Sequence, residues 1–151
     1  MDKDLREVAG CTCLSMRRAT RRLTQIYDHI LEPSGLTVTQ FGLLATILAS
    51  MARPDNLSIG AIAEALGTDP TTLNRNLKPL KARGLVKDVS DPSDGRVRTI
   101  RITEKGQREL SRAIPLWRQA HKSTEEVLGQ KSRLALNELL DRLVTKTAKL
   151  R

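Results

Sequence analysis

Two cysteines, two histidines and a set of basic side chains are the groups in this 151-residue chain whose types admit chemistry. Cys11 and Cys13 stand two apart near the N-terminus. As a thiolate, either would be open to oxidation, and the neighbouring Arg17 and Arg18 supply the positive charge that stabilises a thiolate. As thiols, the same pair are small apolar residues suited to filling an interface. Their separation suits neither a shared metal ion nor an easy mutual disulfide. His29 and His121 have no cysteine or carboxylate at ligand spacing, so no metal is expected. The chain has no phosphate-binding loop, dinucleotide glycine pattern or nucleophile elbow, so neither an enzyme nor a bound cofactor is expected. Trp117, the one tryptophan, either lines a pocket for a small-molecule effector or belongs to a core.

The remaining chemistry is cationic. The chain carries 26 Lys and Arg against 17 Asp and Glu, a net charge of +9. Residues 68–108 hold ten basic and five acidic groups, whereas residues 37–67 hold one and two. A basic excess fits nucleic acid, anionic lipid or plain solubility. With three aromatic residues in all, a stacking surface for single-stranded bases is not expected. Duplex DNA needs no aromatic partner, because phosphates are neutralised by Lys and Arg and base edges are read by polar side chains.

The elements that must carry these groups follow from period and punctuation. A helix is expected over 14–32, where Leu23, Ile26, Tyr27, Ile30 and Leu31 recur every three to four residues before Pro33-Ser34-Gly35. A second begins after Thr37 or Thr39 and runs toward Met51, followed by an Arg53-Pro54-Asp55-Asn56 loop. Ser58 reads as the N-cap of a short helix, Ile59 to Leu66, stopped at Gly67. Asp69 reads as the next N-cap, with Pro70 as first helical residue and Gly84 past the end. The period then changes to that of strands over 85–89 and 97–102, joined by the turn Asp91-Pro92-Ser93-Asp94-Gly95. Helix resumes after Thr103 and extends toward Leu128 past Pro115; a last helix covers 132–150. Two helices joined by a short turn and followed by a basic hairpin describe a winged helix-turn-helix. The expected fold is therefore mainly α with a small β-hairpin wing, plus a helical dimerisation region.

On the helix after Asp69, Leu73, Leu77 and Leu80 form the inward stripe at about 100° per residue. The opposite stripe holds Thr71, Arg75, Lys78 and Ala82, flanked by Thr72 and Asn74. These types suit a major groove, with Arg75 the first choice for a base contact. Arg96 and Arg98 in the hairpin are placed to reach a phosphate or a narrow minor groove. Pro79 lies inside the helix and is expected either to bend it or to end it. The flanking amphipathic helices, in 1–36 and 107–151, expose more apolar face than one small domain needs to cover. They cover one another within the chain or pack on a second copy.

The motifs resemble those of the MarR family of bacterial transcriptional regulators over nearly the whole chain. The residues that carry the likeness are Gly35-Leu36-Thr37-Val38-Thr39-Gln40-Phe41, Ile59-Gly60-Ala61-Ile62-Ala63, and Leu80-Lys81-Ala82-Arg83-Gly84-Leu85-Val86. The wing stretch Asp91-Pro92-Ser93-Asp94-Gly95-Arg96 and the following Ile102-Thr103-Glu104-Lys105-Gly106 are similar to the family hallmark, with Ser93 where many members carry arginine. Two cysteines cannot make a disulfide framework, which fits a reducing compartment and a cytoplasmic protein. The resemblance implies a homodimer in which residues 1–36 and 107–151 interlock and two winged regions, 37–106, read a pseudo-palindrome in double-stranded DNA. It also implies a repressor released by a small-molecule effector or an oxidant. Cys13, eleven residues before Thr24, is similar to the reactive cysteine of the peroxide-sensing branch. Tyr27 matches one tyrosine that would hold that cysteine, while Val38 stands where a second is expected. The opening Met-Asp-Lys-Asp predicts no export, and the apolar run 41–52 is too short to span a bilayer.

Overall fold

The computed structural model describes residues 2–52, 58–90 and 98–147. A short helix, α1 (Asp2–Ala9), leads into the 20-residue α2 (Thr12–Leu31), a 3-10 turn over Glu32–Ser34 and α3 (Val38–Met51). Next come α4 (Ile59–Ala65), α5 (Pro70–Ala82), strands β1 (Val86–Ser90) and β2 (Arg98–Ile102), and the long α6 (Glu104–Leu128) and α7 (Gln130–Thr147). Helix α1 is absent from the expected pattern, because Leu5 and Val8 are its only large apolar residues and define no repeat. The loop expected at 53–56 and the turn at 91–95 lie outside the described residues.

Local chemistry explains most boundaries. Thr37 and Gln40 form a reciprocal capping box at the start of α3. Ser58 caps α4 by accepting from the Ala61 N–H, and Thr103 caps α6 by accepting from the Gly106 N–H. Both ends of the turn-helix unit close in the same manner. Gly67 and Gly84 take positive φ of 61° and 67°, and the amides that follow them return to carbonyls five residues back, Thr68 to Ala63 and Leu85 to Leu80.

The two prolines inside helices do not break them. Helix α5 continues past Pro79 to Ala82, and the Arg83 N–H still reaches the Pro79 carbonyl at 3.1 Å. Of the two outcomes expected at Pro79, an early end is therefore ruled out. Leu77 and Leu80, fully buried on either side of it, hold the backbone on the core. Helix α6 likewise runs as one element through Pro115, and so crosses the expected boundary at residues 106 and 107.

The core gathers Leu31, Leu36, Leu44, Ile47, Ile62, Leu73, Leu77, Leu80, Leu85, Ile100, Ile102 and Leu110. The antiparallel hairpin pairs Val86 with Ile102 and Asp88 with Ile100, and Ser58 adds an isolated bridge to Thr99. Strand and helix meet closely at Gly106, where a Cβ would run into the Leu85 carbonyl oxygen. At the other end, α6 and α7 turn at Gly129 and are tied by a 2.8 Å ion pair from Arg133 Nε to Glu125. Among the described residues no single helix is long and apolar enough to cross a membrane.

Candidate nucleic-acid interface

Helix α5 presents its polar face outward. Thr71, Asn74, Arg75, Lys78 and Ala82 are exposed, opposite the buried Leu73, Leu77 and Leu80. The sequence of α5 contains no acidic residue, so nothing within the helix opposes approach to phosphate. Thr72 differs from its neighbours: it is half-buried, and its hydroxyl donates to Asp69 Oδ2 at 2.7 Å. Its role at this face begins with holding the cap. The Asp69 carboxyl sits below its ordinary value, chiefly because of that hydroxyl and then the Thr72 backbone N–H.

The structure adds residues that spacing along α5 alone did not indicate. Arg75 shares a groove of about 210 Å³ with Asn76 and Pro79 of α5 and with Thr37, Thr39 and Gln40 at the start of α3. Thr39 and Asn76 therefore flank Arg75 on one surface. Because Pro79 has no N–H, the Arg75 carbonyl lacks its usual helical donor on this same side. A sequence signal for Thr39 existed in the cap at Thr37, which places the next exposed polar residue at the mouth of the helix.

In the hairpin, Arg98 opens β2 opposite Ser90, and Arg96 lies outside the described residues. Lys87 and Arg101 face each other across the ladder. Like charges directly opposite repel. Arg101 Nε is buried without a hydrogen-bond partner among the described residues. On the adjoining edge Lys81 donates to both carboxylate oxygens of Asp88 at 2.8 Å. That pair takes Lys81 out of the free cations and neutralises Asp88 of β1.

The other singled-out residues fall elsewhere. Cys11 is the half-buried N-cap residue of α2, and Cys13 is exposed. Cys13 lines a cavity of about 590 Å³ with Met16, Arg17 and Arg21 of α2 and Leu143 of α7. Tyr27, half-buried, lies on the same helix fourteen residues on, about 21 Å along its axis. One protomer does not bring the two together. Trp117 is half-buried and stacked between Phe41, with ring centroids 5.9 Å apart, and His121, at 4.9 Å. It packs against the core through this three-ring stack.

A short helix, a glycine turn, a capped helix with an exposed polar face and an antiparallel hairpin together make a winged helix-turn-helix, the architecture of a large class of DNA-binding regulators. A family model described as MarR family matches residues 34–97. The Mycobacterium tuberculosis transcriptional regulator MosR, solved in complex with DNA, is 35% identical, covering 93% of this chain and 98% of its own, with a TM-score of 0.79. The Rhodococcus jostii transcriptional repressor CouR, bound to a 23-mer duplex, is 30% identical over 91% of this chain and 94% of its own, with a TM-score of 0.77. The Bordetella bronchiseptica BpsR, whose DNA binding is regulated by 6-hydroxynicotinic acid, is 26% identical over 88% and 92%, at 0.75. The chain belongs to the MarR family and is a DNA-binding transcriptional regulator rather than an enzyme.

Proposed function

We propose that the protein is a cytoplasmic homodimeric repressor that reads a pseudo-palindromic operator and leaves it when a ligand or an oxidant acts. The observation that carries the dimer is α7. It buries no residue, and Leu134, Leu136, Leu139, Leu143 and Val144 all stand exposed on it. Leu5 (60% exposed) and Val8 of α1 and Leu14 of α2 are further large apolar side chains left exposed. A row of leucines this long at helical spacing calls for a covering partner, and a second copy supplies the identical surface. Residues 1–36 and 107–151 then form the dimerisation region and residues 37–106 the DNA-binding region.

In this reading each α5 enters a major groove. Arg75 and Asn74 read base edges, while Thr71, Thr72 and Lys78 meet base methyls or phosphates. Arg96 and Arg98 follow the backbone or an adjacent minor groove. Thr39 and Asn76 join the surface beside Arg75. Repression is supported by the likeness to a named repressor, and effector release by the likeness to a regulator controlled by an aromatic acid.

Thiol oxidation is the second release route, favoured by the exposed Cys13 beside Arg17 and Arg21. A hydroperoxide would transfer one oxygen atom to the Cys13 thiolate, leaving an alcohol and a sulfenic acid. The 21 Å separation means that Tyr27 would serve the cysteine of a second copy rather than its own.

Fluorescence anisotropy on DNA upstream of the protein's own gene, with random duplex as competitor, tests the reading. Binding that resists the competitor and falls steeply with salt supports it; equal affinity for random duplex sinks it. Repeating the titration after mild hydroperoxide, and after small aromatic acids, separates the two release routes.

A further inference from the structure

The segment between α2 and α3 is held by two side chains from outside it. Asp28, three residues before the end of α2, accepts the Val38 N–H through Oδ1 at 2.6 Å. Val38 is the first residue of α3, so a carboxylate of α2 completes the cap that Thr37 begins. From the opposite side Arg83, the C-cap residue of α5, donates through Nη1 to the Gly35 carbonyl at 2.7 Å. Gly35 takes a φ of 66°, a conformation that suits glycine. The Arg83 carbonyl in turn accepts from Lys105 Nζ of α6 at 2.8 Å.

These bonds converge on one point. The first turn of α3 borders one groove with Arg75, Asn76 and Pro79 of the DNA-reading helix, and α2 belongs to the region that carries the dimer surface. We infer that Asp28 and Arg83 are positioning residues that form a two-ended latch, setting the tilt of α3 and α5 against α2 and hence the distance between the two DNA-reading helices. The inference rests on the paired half-site reading given above. The fold itself is held by Leu31, Leu36, Phe41 and the leucines of α5, so the latch is not needed to bury the core. It acts on orientation. A charge-assisted hydrogen bond is short and directional, unlike apolar contact, which tolerates sliding.

The consequence lies in which spacings of half-sites are accepted. One inserted base pair moves a half-site by about 3.4 Å and turns it by roughly 35°. A rigid latch penalises that change; a broken one lets the heads follow. The test uses the full-length protein and a preferred duplex selected from a random library, with derivatives lengthened or shortened by one or two base pairs at its centre. Wild type is expected to lose about tenfold or more per inserted pair, a step of about 1.4 kcal/mol. Asp28→Ala is expected to bind the preferred duplex about tenfold more weakly while losing little further on insertion. Its affinity for random duplex does not fall, because the substitution removes a negative charge.

Asp28→Asn, which keeps the acceptor oxygen, is expected to restore the spacing optimum. Arg83→Ala breaks the other end, leaves the α3 cap intact and is expected to flatten the profile as well; it decides the question should Asp28→Ala not fold. Profiles of both alanine variants that superimpose on wild type, or fall equally at every spacing, overturn the latch. A wild type without any spacing optimum overturns the paired half-site reading, and the latch with it.

Discussion

Asp69 and Thr72 are joined twice, by the Thr72 backbone N–H to Oδ1 at 2.9 Å and by the Thr72 hydroxyl to Oδ2 at 2.7 Å. The pair closes the N-terminus of α5 one residue before Thr71, where the exposed polar face begins. The carboxyl is held below its usual value near 3.8 by those same bonds. A group depressed in the folded state adds stability that is whole above its unfolded value and is lost as pH falls through its folded value. Asp69→Asn retains an acceptor that does not titrate. Its melting temperature should therefore approach that of wild type as pH drops through the carboxylate range. Asp69→Ala should melt lower at neutral pH and weaken specific binding. Thermal melts across pH check both.

Arg75→Ala should cost about 1–3 kcal/mol of specific binding and relax discrimination at one base position. Lys78→Ala should weaken every sequence alike and reduce the slope of log affinity against log salt by about one. Competition anisotropy at several salt concentrations separates the two. Equal losses on specific and random duplex for Arg75→Ala would remove it from base reading.

Gly106 packs under the Leu85 carbonyl, where a methyl group has no room. Gly106→Ala should destabilise the protein by about 1–3 kcal/mol, since the strand-to-helix contact must open. The melting temperature should drop by several degrees, on the order of 2–4 °C for each kcal/mol. An unchanged melt would mean that β1 shifts freely against α6.

Leu139 on α7 is 58% exposed within one chain, and Leu143 lies one turn further on. Leu139→Glu together with Leu143→Glu should leave a folded monomer on sedimentation. Affinity for a paired site should fall by about 10² or more as the second contact ceases to be intramolecular. A dimer that persists would move the interface away from α7.

Cys13→Ser should bind DNA as wild type does and ignore mild hydroperoxide, while Cys11→Ser should remain responsive. Anisotropy before and after oxidant and after added thiol reads this. A wild type indifferent to oxidant would assign both cysteines to packing and leave release to a small ligand.

The legible part of this protein was local. Ser58, Asp69 and Thr103 announce their helices, and Gly67 and Gly84 end theirs, because caps and turns are satisfied within a few residues of themselves. Leu73, Leu77 and Leu80 identify the inner face of α5, and with it the outer face, since helical period leaves no choice. Family likeness extends these signals to function through motifs that are themselves caps, turns and core positions.

What tertiary structure alone decided are relationships over long separations. The bond from Arg83 to Gly35 joins residues 48 apart, and that from Asp28 to Val38 joins different helices; no period encodes either one. Pro79 offers a place for α5 to end, yet the helix continues to Ala82 with Leu77 and Leu80 buried on both sides, because packing on a core outweighs one missing hydrogen bond. Sequence determines interactions whose partners lie within a turn or two of each other. Chain folding determines the rest, since only burial selects among the many distant partners a polar group could choose.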